Sequence, residues 1–124
     1  MLKDEFFKIT GSAKNESGVV TYSVTLNPNH PIFSGHFPGN PISPGVCNIG
    51  MIKACAEHEL GYGLLLGNIK QCKFKHLITP TEHPDLDIVL DMEEMENGNV
   101  KLNAKITKGD IVFMELKGEA SCES

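Results

Sequence analysis

The chain has 124 residues, 40% of them hydrophobic and 22% charged, with a formal charge of −5. One domain around one core, residues 1–124, uses up such a length. The acidic balance excludes a general nucleic-acid binder, because phosphates would meet like charge. No apolar run approaches the ~20 residues of a membrane span. Lys3, Asp4, Glu5 and Lys8 interrupt the N-terminal stretch, so no signal-peptide core is expected. Cys47, Cys55, Cys72 and Cys122 show neither CxxC nor zinc-ligand spacing. They read as free thiols of a reducing compartment, with the cytoplasm the expected location and no metal or cofactor implied.

Met1 to Thr10 reads as a short helix or strand. Residues 18–26 then alternate: Val20, Tyr22, Val24 and Leu26 on one face, Val19, Thr21, Ser23 and Thr25 on the other. This predicts a strand with one buried side, ended by Asn27-Pro28. Residues 28–45 hold five of the seven prolines, together with Gly35, Gly39 and Gly45. A long loop of defined shape is expected there, not regular structure.

Residues 44–60 predict the one clear helix. Ser43 suits the N-cap, Pro44 the first helical position and Gly61 the residue past the end. Val46, Ile49, Ile52, Ala56 and Leu60 keep the helical period. Met51, Ala54 and Cys55 widen the apolar surface, so the helix should be wrapped. Alternation then predicts strands over 69–78, 86–95, 100–106 and 111–120, with turns at Asn97-Gly98 and Lys108-Gly109-Asp110. The fold class is α+β: a curved antiparallel sheet around one long central helix. Its open edges call for a dimer.

The segment from His30 to Val46 carries the chemistry. On context alone, His36 serves equally as a general base or as a loop histidine bonded to backbone. Its ordinary pKa near ~6.5 leaves much of it neutral at physiological pH. Gly45 and Val46 open the helix, where main-chain N–H groups lack intrahelical partners and the dipole is positive. A plain Pro-Gly helix start is the alternative.

Gly35-His36-Phe37-Pro38-Gly39-Asn40-Pro41, followed by Pro44-Gly45-Val46, resembles the active-site segment of the FabZ/FabA-type 3-hydroxyacyl-(acyl carrier protein) dehydratases. Lys73-Phe74-Lys75 and Pro80 extend the likeness over most of the chain. The resemblance implies a hot-dog fold working as a homodimer or a multiple of dimers, with the active site spanning the dimer interface. It also implies His36 as base, the Gly45 amide (with Val46 beside it) holding the thioester oxygen, and an acyl-carrier-protein substrate docking near Lys70, Lys73 and Lys75. The bland reading of those lysines is a solvated strand face.

The family's helix acid lies fourteen positions after the histidine, and that count reaches Gly50. Glycine donates no proton. Glu57 lies about 10 Å further along the axis, and with Lys53 it suits a surface i,i+4 pair. Asn48 is placed to orient a water. Loss of a general acid costs ~10²–10⁴-fold in rate without forbidding turnover. A dehydratase-like hydro-lyase is therefore expected. The alternative is a non-catalytic acyl-thioester or carrier-protein binding module, or one subunit of a heteromeric dehydratase. A thioesterase of the same fold would need a carboxylate that the helix lacks.

Overall fold

The alternation of Val20, Tyr22, Val24 and Leu26 survives intact in the computed structural model, which describes residues 5–35 and 42–122. All four are at most 3% exposed along a strand, β2 (Val20–Leu26). The N-terminal segment is a strand, β1 (Phe7–Lys14), paired antiparallel with β2. After the main helix, α2 (Gly45–Leu60), come β3 (Leu64–Phe74), β4 (Asp85–Glu94), β5 (Val100–Lys108) and β6 (Ile111–Cys122). The six strands form one antiparallel sheet in the order β1-β2-β4-β5-β6-β3. One sheet with one main helix is the arrangement expected of a hot-dog fold.

The inner face of the sheet, with Ile88, Leu90, Leu102, Ile106 and Leu116, packs with Met51, Ile52, Cys55 and Ala56 of α2 in one core. Burial explains why period two was readable in these strands: any register slip would turn the whole set to water.

Several expectations need correction. The helix is not long: it spans 16 residues and starts at Gly45. Pro44 is its N-cap, extended at φ −63° and ψ 148°, and no side chain caps it. Ser43 spends its hydroxyl elsewhere, donating to Asn48 Oδ1. The sheet buries the face of the helix that carries Asn48, Met51, Ile52, Cys55 and Ala56, and Val46 at its start is 75% exposed.

The proline-rich loop contains a short helix, α1 (Pro31–Gly35). His30 starts it, its Nδ1 accepting the Ile32 N–H at 3.1 Å. Buried Phe33 then stacks on Phe6 with ring centroids 5.4 Å apart.

The strand expected at 69–78 begins at Leu64 and ends at Phe74. It is an edge strand, and two register shifts against β6 break its alternation. Gly118 permits one of them, since a β-carbon there would stand 2.7 Å from the Asn68 carbonyl oxygen. In β6, Phe113 is buried and Val112 only partly, because the register against β5 shifts at Thr107.

Gly61 ends α2 as expected, at φ 83°, with its N–H on the Glu57 carbonyl at 2.8 Å. The free edge at β3 and its continuation shows Leu65, Ile69, Phe74 and Leu77, each at least 42% exposed.

Candidate active site

The start of α2 is held from outside the helix. The Ser43 N–H donates to the Ile78 carbonyl at 2.8 Å. The Cys47 and Asn48 N–H groups close on the Pro44 carbonyl at 3.0 and 3.1 Å. The Gly45 and Val46 N–H groups have no partner among the described residues. They are the orphan donors of a helix end, at its positive pole.

A groove of about 410 Å³ opens beside them, with Ser43, Gly45, Asn48, Phe74, His76 and Leu77 among its walls. The Phe74 ring lies over Gly45, 3.0 Å from where a β-carbon would stand. His36 follows Gly35 in sequence and lies outside the described residues.

Gly50 sits one turn beyond Val46 on the exposed face of α2, and a β-carbon built there meets nothing within 4 Å. Glu57, the first carboxylate after Gly50 in the helix, is not free to replace the missing acid. Glu57 accepts the Leu64 N–H at 2.8 Å and pairs with Lys53 at 3.7 Å. It ties the end of the helix to the start of β3. The Cys47 thiol is pushed above its ordinary value by burial, which argues against a thiolate nucleophile there.

The three lysines separate into two settings. Lys75 stands at the groove, just past β3, and pairs with Glu115 at 3.2 Å. Lys73 lies opposite Glu115 in the register. That hydrogen bond from Lys75, with the charges of Lys75, Lys105 and Lys73, holds the Glu115 carboxyl below its usual range. Lys70 faces a different hollow of about 460 Å³, beside Lys101 and Lys117.

Two arrangements escaped sequence reasoning. One is the buried Ser43–Asn48 hydrogen bond, whose five-residue spacing matches no standard cap pattern. The other is the Tyr22 hydroxyl, 2.8 Å from His58 Nδ1 and 3.0 Å from Glu59 Oε1. His58, although exposed, thus meets the hydroxyl of a core tyrosine. Among the described residues no cluster of His, Cys, Asp or Glu is placed to hold a metal, and no helix is long and apolar enough to cross a membrane.

Among curated relatives, the 3-hydroxyacyl-(acyl-carrier-protein) dehydratase FabZ of Lactobacillus helveticus is 35% identical over 98 residues, 73% of this chain and 65% of that protein. The FabZ of Ehrlichia canis is 28% identical over 91% of this chain and 85% of its own length. The chain thus spans just under two thirds of the Lactobacillus protein it matches. Among solved structures, the dehydratase heterocomplex ApeI:P from Xenorhabdus doucetiae superposes with a TM-score of 0.65 at 20% identity, covering 94% of this chain and 97% of the other. An uncharacterized protein from Erwinia carotovora subsp. atroseptica gives 0.62 at 23% identity, over 92% and 90% of the two chains. These two likenesses speak to the fold. The family model described as ApeI-like, ApeI dehydratase, matches residues 12–115, and this chain belongs to that family of FabZ/FabA-type hot-dog dehydratases.

Proposed function

We propose that the protein acts on 3-hydroxyacyl thioesters carried by an acyl carrier protein, removing water to leave the enoyl thioester. His36 takes the α-proton. The Gly45 amide, with Val46 beside it, holds the thioester oxygen as it gains enolate charge. The observation that carries this reading is the unpartnered Gly45 N–H at a groove, with that of Val46 next to it, in a chain of a dehydratase family. The basic cluster of Lys73, Lys75 and Lys105 around Glu115 supports docking of an acidic carrier protein beside the groove. The uncovered apolar edge at β3 supports a homodimer, or a multiple of it.

With Gly50 in the acid's position, a water in the exposed space beside it is the proton donor to the leaving hydroxyl. A second reading follows from the same glycine. Glu57 is held by Leu64 and Lys53, so the acid would have to come from a different subunit. The Xenorhabdus neighbour is itself a heterocomplex. The chain would then be the binding half of a mixed dehydratase.

The test is turnover of 3-hydroxyacyl carrier-protein substrates, read as enoyl-thioester absorbance. Activity of the purified protein that His36→Ala abolishes supports the first reading. Activity that appears only with Gly50→Glu, or only with a second hot-dog subunit, supports the second. No turnover under any of these conditions rejects the dehydratase assignment.

A further inference from the structure

Asn48 is a polar side chain with no part in the chemistry above. It is 5% exposed, one of three buried polar residues among those described. Its Oδ1 accepts the Ser43 hydroxyl, and Ser43 is itself fixed by its main-chain bond to Ile78. In this arrangement Oδ1 meets the Ser43 hydroxyl. Nδ2 is left without a partner among the described residues, and Asn48 lines the groove that Gly45 opens.

Asn48 lies three residues after Gly45, on the same face of α2. Side chains on a helix lean toward its N-terminus, so the amide reaches back over the turn that begins at Gly45. Of the groove's other walls, Ile42, Phe74 and Leu77 offer no side-chain acceptor, and no hydrogen bond joins His76 to Asn48. Among the described residues only His83 Nδ1 is both sealed from solvent and unpartnered, so Asn48 Nδ2 opens to the groove and not into the core. Gly50, by contrast, lies on the opposite, exposed face, so Asn48 does not replace the missing acid.

We propose that Asn48 is a substrate-binding donor: its Nδ2 holds the carbonyl oxygen of the acyl thioester beside the Gly45 amide, and Ser43 sets the amide's orientation. A neutral amide gives up no proton as the oxygen gains charge, so it stabilises that charge at any working pH. The proposal rests on the acyl-thioester reading above.

The test uses two probes, the N-acetylcysteamine thioester of 3-hydroxyoctanoic acid and the thioether with CH₂ in place of the carbonyl. Calorimetric binding to the purified protein is compared with Asn48→Ala, Asn48→Asp and Ser43→Ala. Asn48→Asp keeps the shape and the Ser43 acceptor, so it carries the test if the alanine variant unfolds.

The expected result is about tenfold weaker thioester binding in either Asn48 variant, the size of one lost hydrogen bond. Thioether binding should be unchanged, and Ser43→Ala should give a smaller loss in the same direction. Equal thioester affinity in wild type and Asn48→Asp overturns the proposal while leaving the thioester reading intact. Loss of thioether binding together with thioester binding assigns Asn48 to the 3-hydroxyl and overturns it as stated. Wild-type protein that binds neither probe rejects the thioester reading, and the proposal with it.

Discussion

The Phe74 ring stands 3.0 Å from the point that a β-carbon on Gly45 would occupy. Phe74 belongs to the end of the edge strand and Gly45 to the first turn of the main helix. Their contact joins the two elements that border the groove. Only a glycine lets the ring lie so close without displacement.

Gly45→Ala therefore tests the groove separately from the fold. Alanine favours the helix by up to ~1 kcal/mol over glycine, and the ring, 57% exposed, has room to swing outward. Thermal stability should stay within about 1 kcal/mol of wild type. Turnover or thioester binding should fall at least tenfold, because the ring then blocks the approach to the Gly45 amide (roughly one lost oxyanion donor). Melting curves and kinetics on one preparation check this. Unchanged kinetics would show that the ring does not border the substrate.

Gly50 gives the opposite expectation. Nothing lies within 4 Å of a β-carbon there, and the residue is exposed. Gly50→Ala should stabilise the protein by roughly 0.5–1 kcal/mol through helix propensity alone. Gly50→Glu should stabilise it similarly and, if a proton donor is what the site lacks, also raise turnover by up to ~10²-fold. Urea titration separates the two effects, since only the glutamate carries the acid. A destabilised Gly50→Ala would mean that another chain packs on this face.

The parts of the fold with a buried face were legible. Val20 to Leu26, Leu86 to Leu90 and Val100 to Ile106 alternate because one side meets the core. Leu64 to Phe74 was misplaced because its edge position lets apolar residues face out and two register shifts interrupt the pattern. The five-residue helix at Pro31 was hidden because its start is set by His30 and its packing by Phe33, contacts that leave no period in so short a segment. In the site, Gly45 was legible from Pro-Gly at a helix start, a local rule. Asn48 was legible only as a residue placed to orient a water, since its burial and its bond to Ser43 depend on how the loop meets Ile78.

Lys73 and Lys75 bracket Glu115, while Lys70 lies with Lys101 and Lys117 over another hollow. If carrier-protein docking uses the groove side, Lys75→Ala and Lys73→Ala should slow association more than Lys70→Ala does. The double variant should lose roughly tenfold in on-rate at low salt and little at high salt. Stopped-flow association with an acyl carrier protein, run across ionic strength, checks this. Lys75→Ala also releases the hydrogen bond that keeps Glu115 acidic, so the Glu115 carboxyl should titrate higher by NMR. An equal effect of Lys70→Ala would move the docking surface to the outer hollow.

Tyr22 and Cys55 make stability sensitive to alkali. The Tyr22 phenol is pushed up from 10.0 to about 12, first by burial, then by the hydrogen bond and charge of Glu59. Burial alone raises the Cys55 thiol from 9.0 to about 12. Both groups are neutral when protonated, and each folded value exceeds the unfolded one. Between those values the folded chain holds more protons than the unfolded chain, so stability falls as pH rises. The decline should begin near pH 9 through Cys55, steepen above pH 10 with Tyr22, and continue to about 12. Cys55→Ala should delay the onset toward the tyrosine's range. Tyr22→Phe should cost roughly 1–2 kcal/mol at neutral pH, through the lost bonds to His58 and Glu59, and should flatten the upper part of the profile. Urea unfolding measured at intervals across this window gives the slope directly. A flat profile in the wild type would contradict the burial of both groups.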